Sequence, residues 1–133
     1  MKKILLSLFM IASLYAAPVT NEDIVLISNN ILEQRFPTDI QFSILDIDTV
    51  TELGNELIYI VHIDPIGFIL ISADDRLYPL LGYSIESNFT GNDFPSQFDA
   101  MFDSYKEQIA MAVINDVERD QGIAQLWNQY KEN

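Results

Sequence analysis

The chain holds a single imidazole, His62, and no cysteine. His62 interrupts an otherwise apolar run, Leu57 to Ile63. A serine–histidine–acid arrangement would have to use it, because no other base of that kind is present. A lone histidine in such a run reads as a packed or hydrogen-bonded residue. Asp46 and Asp48 are two apart, so on a strand they share a face. Two carboxylates so placed could bind calcium or act as an acid–base pair. They lack a glycine-turned loop and a third acidic ligand at a fitting spacing, which leaves a solvated strand edge. One histidine without cysteine does not make a zinc site. The five glycines are isolated, so no phosphate-cradling loop is present. Asn88-Phe89-Thr90 fits an N-glycosylation sequon, a triplet that also arises by chance. No catalytic residue, metal or cofactor is therefore assigned, and the chemistry points to a non-catalytic binding domain.

The elements that would position these residues centre on Gly67-Phe68-Ile69-Leu70-Ile71-Ser72-Ala73-Asp74-Asp75-Arg76. Five apolar residues follow a glycine turn and stop on an acidic one. Such a run gives neither face to water, so it reads as a strand covered on both sides. Phe42 to Val50 and Leu57 to Ile63 are read as the strands before it, with a turn at Gly54-Asn55. Pro65-Ile66-Gly67 makes a tight antiparallel connection. Tyr78 to Tyr83 is a further short strand, and Ile85 to Asp93 a loop. Thr20 and Asp23 form a capping box for a first helix, which carries Ile24, Ile27, Ile31 and Leu32 on one face and is ended by Pro37. Pro95 and Ser96 open the longest helix. Its apolar stripe runs through Phe98, Met101, Phe102, Tyr105, Ile109, Ala112, Val113 and Val117, and it ends at residues 119–122. Ile123 to Tyr130 is a short helical tail with Leu126 and Trp127. The expected fold is α+β: a curved antiparallel sheet of three to four strands, covered on one face by the N-terminal helix and the long C-terminal helix.

Met1-Lys2-Lys3, an apolar run from Ile4 to Tyr15 and the small Ala16 and Ala17 have the layout of a secretory signal peptide. The run is too short to span a bilayer as a helix. Residues 1–16 are thus expected to be removed, leaving 17–133 as one domain that is secreted or periplasmic. Losing Lys2 and Lys3 takes the net charge from −13 to −15. That acidity argues against nucleic acid and anionic membranes as partners. It permits a basic protein partner, though acidic surfaces also serve solubility. Without disulfides the core alone must stabilise the fold.

The central run and Pro79-Leu80-Leu81-Gly82-Tyr83-Ser84 resemble the propeptide domain of streptopain-type cysteine proteases, which also occurs as the stand-alone Spi-type inhibitor. Phe89, a short Asn/Pro loop from Thr90 to Gln97, and a long helix with Tyr105 and Ile109 continue the resemblance. It covers Asp23 to about Val117. In that family the domain precedes a papain-like catalytic domain and holds it inactive. Here the sequence runs only fourteen residues past Arg119 and offers no catalytic cysteine.

The resemblance therefore implies a non-enzymatic inhibitor, monomeric when free, acting in trans on a streptopain-like cysteine protease. A standard protease–inhibitor contact would bury on the order of 1,600 Å². A folding helper for such a protease, or an exported binding module reusing the fold, are the alternatives. The resemblance places the inhibitory contact in the loop before the long helix, here Asn92, Asp93, Phe94, Pro95, Ser96 and Gln97. Family members often carry asparagine where Gln97 stands; glutamine keeps the amide and adds a methylene. Gly67, Asp74, Asp75, Arg76, Gly82 and Tyr83 form the structural part of the motif, with Arg76 able to fork onto a carboxylate.

Overall fold

The first helix, α1 (Asn21–Arg35), starts on the expected capping box. In the computed structural model, which describes residues 19–90 and 96–132, the Asp23 amide donates to Thr20 Oγ1 at 3.1 Å and the Thr20 amide to the Asp23 carboxylate. Phe36 is the C-cap, in the extended conformation that Pro37 imposes on the residue before it. Ile24, Ile27 and Ile31 are fully buried. Each such side chain contributes roughly 1.5–3 kcal/mol of burial free energy.

Four strands follow, β1 (Ser43–Glu52), β2 (Asn55–Asp64), β3 (Phe68–Ser72) and β4 (Leu80–Ser84). They pair antiparallel in the order of the sequence, β1-β2-β3-β4. Leu53 and Gly54 both have positive φ, 51° and 80°, as a two-residue hairpin turn requires. β1 is irregular, with register shifts between Ile44 and Asp46 and between Val50 and Thr51. β2 and β3 are interior, and every residue of β3 is buried.

The long helix, α2 (Ser96–Ile114), and a third helix, α3 (Gln121–Lys131), complete the α+β domain. The expectation that the two long helices share one face of the sheet is overturned. Tyr59, Val61, Ile63, Ile69 and Ile71 pack with α1 and with Trp127 of α3. Ile58, Ile60, Phe68 and Leu70 point the other way, toward Phe102, Tyr105 and Ile109 of α2. Strands apolar at successive positions need cover on both faces, and one helix layer would have left the second set in water.

Two further expectations change at the C-terminal end. α2 stops at Ile114 rather than at residues 119–122, and Asp116 turns the chain at φ 47°. The Asp116 amide donates to the Val113 carbonyl and the Val117 amide to the Ala112 carbonyl, which closes the helix as a Schellman turn. Val117, expected on the apolar stripe, is consequently exposed. The expected tail is a core element: Trp127 is 1% exposed and its Nε1 donates to the Leu77 carbonyl at 2.7 Å. Asp120 caps α3 by accepting from the amides of Gly122 and Ile123.

Candidate functional site

β3 holds α2 at both ends. At its start, Gly67 sits at φ 123°, and a Cβ there would lie 2.5 Å from the Ser84 carbonyl oxygen. Only glycine lets the two backbones come this close. The Gly67 amide donates to Asn88 Oδ1 at 3.0 Å, and its carbonyl accepts from the Ile63 amide. Ser84 Oγ accepts from the amides of Glu86 and Ser87, turning the chain as it leaves β4. One residue past Asn88, the Phe89 ring lies 5.3 Å from Phe68 and 5.6 Å from Phe102. The chain is thus pinned to both the sheet and α2 immediately before the loop that precedes that helix.

The other end of β3 is the Asp74-Asp75-Arg76 turn. Ser72 Oγ accepts from the Asp74 amide, and Asp74 Oδ1 accepts from the Arg76 amide at 2.9 Å. The turn aims Arg76 at the C-terminus of α2. Its Nη1 donates to the Ala112 carbonyl at 2.8 Å and its Nη2 to Asp116 Oδ1 at 3.1 Å. A cation at a helix C-terminus meets unsatisfied carbonyls and the negative end of the helix dipole. Asp75 is buried, and its Oδ2 lies 3.2 Å from Arg119 Nη1 in the segment leading to α3. The three charged residues therefore tie β3 to both C-terminal helices.

Of the loop residues, Asn92, Asp93, Phe94 and Pro95 lie outside the described residues. Ser96 and Gln97 are the first two residues of α2, and their side chains too lie outside the described residues. Tyr83 is half-exposed, 5.8 Å from the Phe36 ring, with the Arg35 guanidinium 6.0 Å above its face. Gly82, unlike Gly67, has nothing within 4 Å of where a Cβ would stand.

His62 Nε2 lies 2.7 Å from Asp48 Oδ2, across the β1–β2 pair. Asp46 is opposite His62 in the register, and its Oδ1 accepts from the Ile47 amide. The imidazole is thus held by an exposed strand carboxylate. Among the described residues, no group of three or more histidine and acidic side chains is placed to hold a metal ion.

Sequence reasoning missed three contributors to this frame: Asn88 as an acceptor for Gly67, Asp116 as the left-handed closure of α2, and Arg119 as the partner of Asp75. Asn88 and Asp116 are residue types that favour turns, but their partners are 21 and 40 residues away. Only the fold brings them together.

β3 and the residues flanking it thus contact α2 near its start, through Phe89 and Phe102, and at its C-terminus, through Arg76. The chain belongs to the Spi protease inhibitor family, whose model matches residues 16–109. That span takes in α1, the whole sheet and α2 as far as Ile109, and it stops short of α3. The family is one of non-catalytic protease inhibitors. No curated protein and no solved structure matches the chain.

Proposed function

We propose that this protein is exported and inhibits a streptopain-like, papain-fold cysteine protease in trans, blocking its active site with the segment from Asn92 to Gln97. Membership of the Spi protease inhibitor family carries this reading. Residues 1–16 serve as the export signal, and residues 17–133 act as one inhibitor domain, secreted or periplasmic and monomeric when free.

The anchoring of the loop supports the choice of segment. Asn88 and Phe89 are fixed on its N-terminal side, and α2 begins on its C-terminal side. A segment tethered at both ends has less freedom to lose on binding, which favours tight association. Pro95 removes a backbone donor and so resists productive strand-like pairing in a protease cleft. With no cysteine, the chain holds no thiol nucleophile of its own.

An inhibition titration tests this. Protein starting at Ala17 is added to a streptopain-like protease from the same source, with papain as control. Stoichiometric loss of the first activity and none of the second is expected. Full activity of both enzymes at excess inhibitor would overturn the reading.

A further inference from the structure

A groove runs between β4 and α2. Two cavities, of about 310 and 170 Å³, lie along it, the first lined by Gly82 and the second by the adjacent Leu81. A third, of about 440 Å³, shares Leu77 and Gln108 with the second and continues beyond the start of β4 along α2. Tyr78, Met101, Met111 and Val117 line it and are 40–63% exposed. In a chain with 27 charged residues, Glu107 is the one charged side chain among the described residues that line it. Aromatic and methionine side chains with few charges are the composition of an interface centre rather than of ordinary surface.

β4 is an edge strand, and edge strands are commonly guarded by charge. β1, at the opposite edge, carries Asp46, Asp48 and Glu52. β4 reads Leu-Leu-Gly-Tyr-Ser and carries none. Gly82 adds a separate observation. It pairs with Leu70 and so faces the α2 side. Its φ is not positive, and its missing Cβ would touch nothing. Neither backbone conformation nor close packing requires glycine there, although glycine weakens a strand interior. What its small size does is deepen the groove floor beside Met101.

The charges around the groove select an occupant. All five described basic residues are engaged within the chain: Arg35 with Tyr130 and Tyr83, Arg76 with Asp74 and Asp116, Lys106 with Glu52 and Asp103, Arg119 with Asp75, and Lys131 with Asp23. Glu107 lines the groove, and the exposed Glu86 and Glu118 are next in sequence to its lining residues Ser87 and Val117. We propose that the β4–α2 groove is a second docking surface for the target protease. It receives an extended segment of the catalytic domain that adds to the β4 edge, seats a large apolar side chain over Gly82, and turns flanking lysine or arginine toward these glutamates. A second copy of the chain fits less well, because two molecules of charge −13, or −15 once residues 1–16 are removed, repel.

This inference rests on the inhibitor reading above, and the test separates the two. Gly82→Leu places a side chain on the groove floor, where a Cβ meets nothing within 4 Å, and Met101→Asp charges its wall. Each variant is titrated against the protease, with unfolding midpoints and sedimentation velocity recorded alongside. The expected result is an inhibition constant weakened on the order of tenfold or more, at an unfolding midpoint unchanged or, for Gly82→Leu, raised. Glu86→Gln with Glu107→Gln should slow association and flatten its salt dependence. If the wild type inhibits and both groove variants inhibit equally well, the groove is not a contact and the proposal falls alone. If the wild type self-associates and Gly82→Leu abolishes that, the occupant is a second copy and the proposal is again wrong. If the wild type inhibits no streptopain-like protease, the inhibitor reading falls first and takes this inference with it.

Discussion

Arg76 Nη1 donates to the Ala112 carbonyl at 2.8 Å, so a residue just past the central strand caps a helix that ends 36 to 38 positions later. The same guanidinium reaches Asp116, whose left-handed conformation ends that helix. Arg76→Ala would leave the Ala112 carbonyl with the Val117 amide as its remaining donor and leave Asp74 and Asp116 without their cation. A loss of roughly 2–3 kcal/mol is expected in urea unfolding. Arg76→Lys should recover only part of it, since a point charge cannot serve two acceptors through a planar fork. Inhibition per folded molecule should stay near wild type; a variant of full stability would refute the capping role.

Trp127 fills the core from a helix that lies beyond the family match. Trp127→Ala should cost about 3–5 kcal/mol as a large cavity. Trp127→Phe should cost less, keeping most of the ring and losing the bond to Leu77. Ending the chain after Arg119 should be at least as damaging as the alanine variant. Circular dichroism melts of the three proteins would establish the order.

The two strand-associated glycines should behave oppositely. Gly67→Ala forces an L side chain to positive φ and drives a methyl into the Ser84 carbonyl. A destabilisation of about 2 kcal/mol or more is expected from such a clash. Gly82→Ala meets open space, and it should be neutral or stabilising by up to about 1 kcal/mol. Denaturant midpoints of the pair decide the matter.

The Tyr59 hydroxyl donates to Glu56 at 2.8 Å, and its pKa is pushed up to about 12, first by burial and then by the bond and charge of Glu56. Between pH 10 and 12 the unfolded chain releases this proton while the folded chain keeps it. The unfolded state then binds fewer protons, so stability falls with rising pH across that window. The contribution is present in full below pH 10 and is lost by pH 12. Tyr59→Phe should remove this part of the slope, and a tyrosinate absorbance titration should lose its most alkaline step.

In the loop, Phe94→Ala and Gln97→Ala should each weaken inhibition by on the order of tenfold or more while leaving the unfolding midpoint in place. Parallel loss of fold and inhibition would assign these residues to the scaffold instead.

The local features were legible in the sequence because their partners are near in the chain. The Thr20 and Asp23 box is three residues wide, and the apolar strand β3 announces its own burial. Gly54 marks the hairpin turn, but reading it as Gly54-Asn55 sets the turn one residue late; it is Leu53 and Gly54 that turn, because Asn55 already pairs with Glu52. The side of the sheet taken by each helix was less legible. The apolar stripe of α2 states that the helix is covered, not by which face. The pattern of β2 and β3 held the answer, since Ile58 and Ile60 alternate with Tyr59 and Val61 and both sets need cover. Buried Asn30 was out of reach of sequence reasoning: its amide donates to the Tyr130 carbonyl, 100 residues distant. The candidate site divides in the same way. Its motif could be read from the resemblance, but the anchors Asn88 and Asp116 are defined by long-range geometry.

The irregularity of β1 has a consequence for how molecules of this protein meet one another. An outer edge ten residues long would ordinarily template fibril growth. Two register shifts break the even spacing of its free amides and carbonyls, so an incoming strand cannot stay in step along it. Identical copies stacked in register would also bring Asp46, Asp48 and Glu52 onto their own counterparts. The longer edge of the sheet is thereby closed to polymerisation, in a chain that has no disulfide to restrain it if it opens.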